Sequence, residues 1–194
     1  MTANRIPLIP TLLVLAAVAV MIRLGFWQLD RLEQKEAMLA RYTAARAMTS
    51  EVPWPHDDAA AQGALYRRTR LDCRSPGSDQ PLAGHNSAGE TGWVHSFQCL
   101  LADGGSAQVA IGWSRDPAAR QWPGGTVAGW VAPGAGNSVR LLADPPQGGL
   151  EANASPDPAN VPNNHLSYAV QWFLFAATAL VIYALALRKR LAVA

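Results

Sequence analysis

The sequence predicts an α+β membrane protein in which two transmembrane helices flank a small antiparallel β-rich domain, barrel-like or sandwich-like, outside the cytoplasm. Two dense apolar blocks near the ends of the chain and a mixed region of short alternating segments between them lead to this prediction. The predicted segments are 1–46 for the first transmembrane helix with an exported helical extension, 47–144 for the β-rich domain, 145–164 for a connector rich in Pro, Gly and Asn, and 165–190 for the second transmembrane helix with a basic cytoplasmic end.

The first apolar block covers residues 6–22 without a charged residue, and residues 24–29 extend it to the roughly 20 residues that a bilayer span requires. Arg23 interrupts it but can reach lipid headgroups along its apolar stem. The helical pattern continues through residues 30–42, so one long helix should emerge into water. Arg5, a short apolar core and Ala17-Val18-Ala19 are also typical of a cleaved signal peptide, and either interpretation exports the middle region.

The second apolar block, residues 166–187, contains no charged residue and is followed by Arg188, Lys189 and Arg190. Since cationic flanks prefer the cytoplasmic side, this cluster predicts a cytoplasmic C-terminus and, with two spans, a cytoplasmic N-terminus. The bases in residues 31–46 favour the opposite orientation but are mixed with acids. The predicted location is therefore the bacterial cytoplasmic (inner) membrane, with the central domain periplasmic or otherwise extracytoplasmic.

Alternating patterns between the two blocks predict strands at residues 65–73, 93–101, 107–113, 126–132 and 139–142. Residues 102–106, Ala-Asp-Gly-Gly-Ser, are a hairpin signal between the second and third of these strands. Several strands joined by short turns favour a small antiparallel barrel or sandwich. Within single strands, the pattern places on one face Trp93, His95, Phe97, Cys99 and Leu101, and likewise Val109, Ile111 and Trp113.

The distribution of charge argues against a nucleic-acid partner. Residues 24–164 carry 11 Lys+Arg and 14 Asp+Glu, so the formal net charge of +2 belongs to the helix ends. No basic stripe with interleaved aromatic residues is present in this region, and such a stripe is the usual footprint of nucleic-acid binding.

The residue types that carry common catalytic chemistry are scattered. The sequence has no Cys-x-x-Cys pair, glycine-rich phosphate loop, nucleophile elbow or His-Glu-x-x-His helix, so an enzyme is not predicted. His56 and His85 lie in polar loops, and His95 is expected to be a half-buried core histidine. Cys73 and Cys99 both fall in the exported region, where a disulfide and two free buried thiols are alternatives.

His165 differs from the other histidines because it follows Asn163 and Asn164 at the entrance to the second apolar block. At helical spacing it shares a face with Tyr168 and Trp172. Small neighbours on this face would let another helix or a flat ring approach; they are Ala169, Ala176 and Ala179. A neutral imidazole there could be an axial haem ligand. The alternative is an interfacial histidine that caps the helix together with the two asparagines.

Two stretches at opposite ends of the chain resemble signatures of the Surf-one (Surfeit-locus) family of cytochrome oxidase biogenesis proteins. They are Gly25-Phe26-Trp27-Gln28-Leu29-Asp30-Arg31-Leu32-Glu33-Gln34-Lys35 and Asn163-Asn164-His165-Leu166-Ser167-Tyr168-Ala169-Val170-Gln171-Trp172-Phe173. Tyr66-Arg67-Arg68 and the hairpin over residues 101–113 are similar to further family landmarks. Ala110-Ile111 stands where the family commonly has Asn-Arg.

The resemblance implies an assembly factor for haem-copper cytochrome c oxidase that assists insertion or stabilisation of a-type haem in the catalytic subunit. Haem a is then the expected, transient cofactor. The expected partners are the oxidase subunits, above all the catalytic one, the machinery of haem a synthesis, and membrane lipid. The candidate haem-binding residues are His165, Tyr168 and Trp172, and the candidate partner contacts are Trp27, Gln28, Arg31, Asn163 and Asn164. The alternative is a non-catalytic accessory subunit that stays bound to the oxidase.

Overall fold

The computed structural model describes residues 7–193. The predictions that involve Arg5 and Ile6, at the start of the first span, therefore lie outside the described residues. The chain divides into two compact units. The helix unit comprises the described residues up to Met38 and from Val161 onward. The β-rich unit comprises residues 39–160.

The elements follow one another in the order that the sequence predicts, with four short additions: two strands, a helix and a 3₁₀ turn. They are helix α1 (Leu8–Arg46), strand β1 (Glu51–Val52), helix α2 (Asp58–Ala64), strands β2 (Arg68–Asp79), β3 (Leu82–His85), β4 (Thr91–Leu101), β5 (Ser106–Ser114), β6 (Gly125–Pro133) and β7 (Val139–Ala143), a 3₁₀ turn (Pro158–Asn160) and helix α3 (His165–Val193). Periodicity and alternation did not predict α2, β1, β3 or the 3₁₀ turn. Strand β1 has two residues and β3 has four, which is too short for a reliable alternation.

Two helical segments, Leu8–Arg46 and Pro158–Ala192, are long and apolar enough to cross a membrane. Within the most apolar windows of these segments, only 11% and 6% of the residues are buried. Exposing so large an apolar surface to water is unfavourable, whereas a bilayer accommodates it. The two helices therefore match the two predicted spans in place and in character.

Small residues line the contact between α1 and α3. Val18 and Gly25 of α1 and Ala169 and Ala176 of α3 are buried, and Ala179 is half-buried. On each helix the two buried residues are seven positions apart. This period keeps one face of a helix against its partner in a left-handed supercoil. Small side chains let two backbones approach closely, which is how helices associate in lipid. Ala169 and Ala176 are buried, as the expectation that the alanines admit a neighbouring helix requires.

Contacts along this seam show that α1 and α3 run antiparallel. The hydroxyls of Thr11 and Tyr183 are hydrogen-bonded, and farther along the seam the rings of Phe26 and Phe173 meet edge to face with centroids 5.4 Å apart. A Cβ atom at Gly25 would lie 2.6 Å from Cε1 of Phe173, closer than a side chain tolerates. Gly25 therefore sets the distance between the two helices at this level.

In the β-rich unit, five strands form a closed ring in the order β2, β6, β7, β5 and β4, because β2 pairs with both β6 and β4. Strand β1 adds to β2, and β3 adds to β4. The β-rich domain is thus a small barrel. Its sheet is mixed instead of wholly antiparallel, since β1–β2 and β5–β7 are parallel pairs. A parallel neighbour requires the chain to return to the same end of the sheet, and residues 115–138, which include β6, make that return.

A bulge in β5 changes which side chains share a face. Ile111 is an extra residue where the register between β4 and β5 shifts, and such a residue reverses the alternation beyond it. Val109 and Ile111 belong to the main core, but Trp113 packs in a second cluster that includes Val94 and Leu142. The prediction of one shared face is therefore wrong at Trp113. From the face predicted in β4, the main core contains Phe97, Cys99 and Leu101 but not Trp93 or His95.

Cys73 of β2 and Cys99 of β4 form a disulfide, which decides between the two alternatives that the sequence left open. Both cysteines are buried in the main core, with exposed fractions of 2% and 0%. Because β2–β4 is the pairing that closes the ring, the disulfide lies at the closure of the barrel.

Tyr66 occupies the turn before β2 with a positive φ of 62°, a conformation that a tyrosine rarely adopts. Its N–H donates to the carbonyl of Val131, and its ring lies 4.8 Å from that of Tyr42. These contacts explain why β2 begins at Arg68 and not at Leu65 as the alternation predicted. Burial, aided by the neighbouring Tyr42 and Asp157, raises the pKa of Tyr66 above its usual value of 10.0.

We expect this raised pKa to make the β-rich unit less stable in alkali. The unfolded chain loses the Tyr66 proton near pH 10, whereas the folded chain retains it to higher pH, so the free energy of unfolding falls as pH rises between the two pKa values. Tyr66→Phe keeps the ring and should remove this part of the decline. Urea unfolding of both full-length proteins in detergent, from about pH 8 to about pH 11, measures the difference. A wild-type decline identical to that of the variant would contradict the prediction.

Candidate functional site

The candidate site lies where α1 and α3 meet and joins two residues that are 137 positions apart in the sequence. Nδ1 of His165 lies 2.7 Å from Oε1 of Gln28. Both side chains are half-buried. His165 is the first residue of α3, and Gln28 lies one turn beyond Gly25, on the face of α1 that packs against α3.

Helix geometry places this contact at one boundary of the apolar span. Gln28 lies 17 positions after Thr11, and Tyr183 lies 18 positions after His165. Each separation corresponds to about 26 Å of helix, close to the roughly 30 Å of a hydrocarbon core. The Thr11–Tyr183 contact then marks one end of the shared seam and the Gln28–His165 contact marks the other. Polar groups at a boundary avoid the cost of burial in hydrocarbon.

The start of α3 does not use the imidazole as a cap. The carbonyl of Asn164 accepts the first helical hydrogen bond, from the N–H of Tyr168, while the His165 ring is bonded to Gln28 on the other helix. The side-chain oxygen Oδ1 of Asn163 is buried and has no hydrogen-bond partner among residues 7–193. At the beginning of α3, Oδ1 of Asn163 and the imidazole of His165 are therefore not used in hydrogen bonds within the helix.

Tyr168 and Trp172 follow His165 on one side of α3. Tyr168 is 49% exposed, whereas Trp172 is half-buried and meets Phe175 edge to face with centroids 6.1 Å apart. Both aromatic side chains thus follow His165 along the same side of α3. Among residues 7–193, no described contact joins either of them to α1.

Trp27 and Arg31 have their partners on α1 itself. The guanidinium of Arg31 lies over the Trp27 ring, 5.5 Å from its centroid, and donates a hydrogen bond to Gln34. Trp27 is 42% exposed. An aromatic and an arginine at this level of a span are the side chains that membrane interfaces favour.

The sequence model of the protein family described as "SURF1 family" matches residues 15–177, which is more than four fifths of the chain. The chain belongs to the SURF1 family. The match includes both end signatures, the whole barrel and the Gln28–His165 contact, so the resemblance drawn from the two end signatures is confirmed. The SURF1 family is known for cytochrome c oxidase assembly and is generally non-catalytic. A search of curated proteins found no match.

The SURF1 chain also contains a buried polar network that the sequence did not reveal. His95 is fully buried, not half-buried as expected, and its Nδ1 lies 2.6 Å from Oδ2 of Asp79. Its Nε2 lies 2.8 Å from Oγ of Ser114. The Asp79 oxygen also accepts a hydrogen bond from the backbone N–H of Arg120. This network links β2, β4 and β5 to the loop that follows β5.

Asp79, His95 and Ser114 have the connectivity of a nucleophile triad, but the hydroxyl hydrogen points elsewhere. Oγ of Ser114 donates to the carbonyl of Asp116 at 2.7 Å, which leaves the oxygen to accept from Nε2–H of His95. A histidine that donates to the serine is not acting as its base. In this arrangement the network ties together three strands and a loop of the β-rich unit. No signal in the sequence links these three positions, because each lies in a different strand or loop.

Proposed function

We propose that this SURF1-family chain is an assembly factor of haem-copper cytochrome c oxidase that assists insertion or stabilisation of a-type haem in the catalytic subunit. In this proposal, His165 is the side chain that holds the haem iron. Trp27, Arg31 and Asn164 are exposed beside the helix contact and are available to oxidase subunits or to the machinery of haem a synthesis.

The observation that supports His165 most directly is the use of only one of its two ring nitrogens. Nδ1 is bonded to Gln28, and Nε2 has no hydrogen-bond partner among residues 7–193. A neutral imidazole with one nitrogen occupied and the other free is the form that binds iron.

The surrounding residues fit a haem group in their chemistry. The buried Oδ1 of Asn163 has no partner among the described residues and can accept a hydrogen bond from a polar substituent. Tyr168 and Trp172 offer aromatic surface next to His165, suited to a large flat apolar ring. When bound, the haem supplies an iron centre whose further chemistry belongs to the oxidase. This chain's residues would hold the ring at the membrane boundary until transfer.

The proposed location is the cytoplasmic membrane, with both termini cytoplasmic and the barrel on the outer side. The basic cluster at residues 188–190 supports this orientation. The Cys73–Cys99 disulfide supports it independently, because disulfides persist outside the reducing cytoplasm.

We expect His165→Ala to lose the haem spectrum of the full-length protein. The protein would be produced in cells that make a-type haem, purified in detergent and examined by optical absorption. His85→Ala is the control, because His85 is an exposed histidine on β3 whose side chain has no described contact, whereas His165 is half-buried against Gln28. The wild type and His85→Ala should carry the same haem band, and His165→Ala should lose it or show a shifted band.

Two results would count against the proposal. A wild type without haem would refute haem binding, and equal losses in His85→Ala and His165→Ala would mean that histidines bind haem without regard to their place. Isolation of the chain in fixed stoichiometry with mature oxidase would favour the accessory-subunit alternative. Transient association, seen only while the oxidase is being assembled, would favour the assembly factor.

A further inference from the structure

We propose that Gln28 is a positioning residue, which selects the tautomer of His165 that presents Nε2 to the haem iron. This inference rests on the proposed function of His165. It assigns a chemical role to a residue that the sequence marked only as part of a motif.

The direction of the hydrogen bond between His165 and Gln28 determines which ring nitrogen of a neutral His165 carries the hydrogen. Oε1 of an amide has no hydrogen, so it accepts, and Nδ1 of His165 at 2.7 Å must donate. A neutral imidazole has one N–H, and here that N–H is on Nδ1. The lone pair of the neutral ring is then on Nε2, the nitrogen without a partner among residues 7–193.

The second step is the rigidity of the contact. Gln28 lies three residues beyond Gly25, whose backbone packs so closely against Phe173 that a Cβ atom would lie 2.6 Å from the ring. Phe26 also meets Phe173 edge to face. These contacts hold α1 and α3 at a fixed distance one turn from the amide, so the Gln28 oxygen stays within reach of the imidazole.

The third step is the effect of such a partner on a ligand. Histidines that bind metals nearly always donate their second N–H to an oxygen, which fixes the ring orientation and raises the electron-donating power of the bound nitrogen. Gln28 occupies this position toward His165. An apolar residue at position 28 would leave both tautomers accessible and the ring free to rotate.

The first test needs no haem. The full-length protein, labelled with ¹⁵N-histidine and purified haem-free in detergent, reports the protonated nitrogen of each neutral histidine in long-range ¹H–¹⁵N spectra, with His165→Ala identifying the signal. We expect Nδ1–H in the wild type, in Gln28→Glu and in Gln171→Leu. Gln171 is the matched control, since it is an exposed glutamine on α3 without a described contact. In Gln28→Leu the signal should shift toward Nε2–H. An Nε2–H wild type, or an unchanged Gln28→Leu, would overturn the inference.

The second test is titration of the same haem-free proteins with haemin. We expect Gln28→Leu to weaken binding by about 10- to 100-fold, the usual loss when such a partner is removed, while Gln171→Leu binds as the wild type does. Gln28→Glu should restore affinity and lower the reduction potential of the bound iron, because a carboxylate makes the ligand more electron-donating. A merely structural role for Gln28 would not move the potential in this way.

The two tests separate the inference from the proposed function. A wild type that has the Nδ1–H tautomer but binds no haemin refutes haem binding. The conclusion that Gln28 orients the His165 ring would still hold. A wild type that binds haemin through His165 with affinity and potential equal in all three position-28 proteins supports haem binding and overturns the role of Gln28.

Discussion

Replacing Asp79 with alanine is expected to destabilise the β-rich unit by about 3–5 kcal/mol, the usual cost of removing one partner of a buried ion pair. The side chains of Asp79 and His95 are both 0% exposed, and their contact atoms lie 2.6 Å apart. Nε2 of the same ring lies 2.8 Å from Oγ of Ser114, so both ring nitrogens have a hydrogen-bond partner inside the β-rich unit. Without Asp79, the His95 ring and the N–H of Arg120 lose their common acceptor.

The measurement is urea unfolding of the full-length protein in detergent, followed by the fluorescence of buried tryptophans in the β-rich unit, Trp54, Trp113 and Trp122. His56→Ala is the matched control, because His56 and Asp103 form a second histidine–aspartate pair at 3.2 Å in which both side chains are more than half exposed. Exposed pairs contribute about 0–1 kcal/mol, so the control should unfold almost as the wild type does. Similar losses in the two variants would show that burial does not give the Asp79–His95 pair its importance.

Removing the Cys73–Cys99 disulfide is expected to cost about 2–5 kcal/mol of unfolding free energy. The cysteines are separated by 26 positions, and closing a loop of that length in the unfolded chain corresponds to about 3.5 kcal/mol on the chain-entropy account. The bond joins β2 to β4, the pairing that closes the barrel, so its loss should open the ring before the other strand pairs separate. Alanine at both positions avoids burying a hydroxyl in the core.

The double variant Cys73→Ala/Cys99→Ala would be compared with wild type, both with and without a reductant. We expect the reductant to destabilise the wild type by nearly the same amount as the double substitution, and to leave the variant unchanged. A reductant that has no effect on a wild type shown to be fully reduced would contradict the prediction. Unequal effects would measure how much of the loss comes from the sulfur atoms as core packing.

The amino-acid sequence determined the features of this protein that depend on local pattern and composition. Uncharged apolar runs of sufficient length predict the two long helices, and period-two alternation predicts five of the seven strands. The two end signatures led to the SURF1 family, which the family match confirms. These features follow from interactions between residues near one another in the chain, for which periodicity is a direct record.

The tertiary structure alone decided which distant side chains meet. The bulge at Ile111 changes the face of Trp113, the ring closes between β2 and β4, and Asp79 becomes the partner of His95. The seven-residue spacing of Thr11, Val18 and Gly25 is a sign of the seam on α1 that can be read in the sequence, although no helix contact was predicted from it.

The same division holds at the candidate site. His165 stood out in the sequence because of its place at the start of an apolar block, but its partner Gln28 lies 137 positions away. Local pattern records the face on which a side chain lies and contains no information about what approaches that face. Strand register, bulges and helix spacing determine which distant side chain becomes the partner, because they depend on how the whole chain packs.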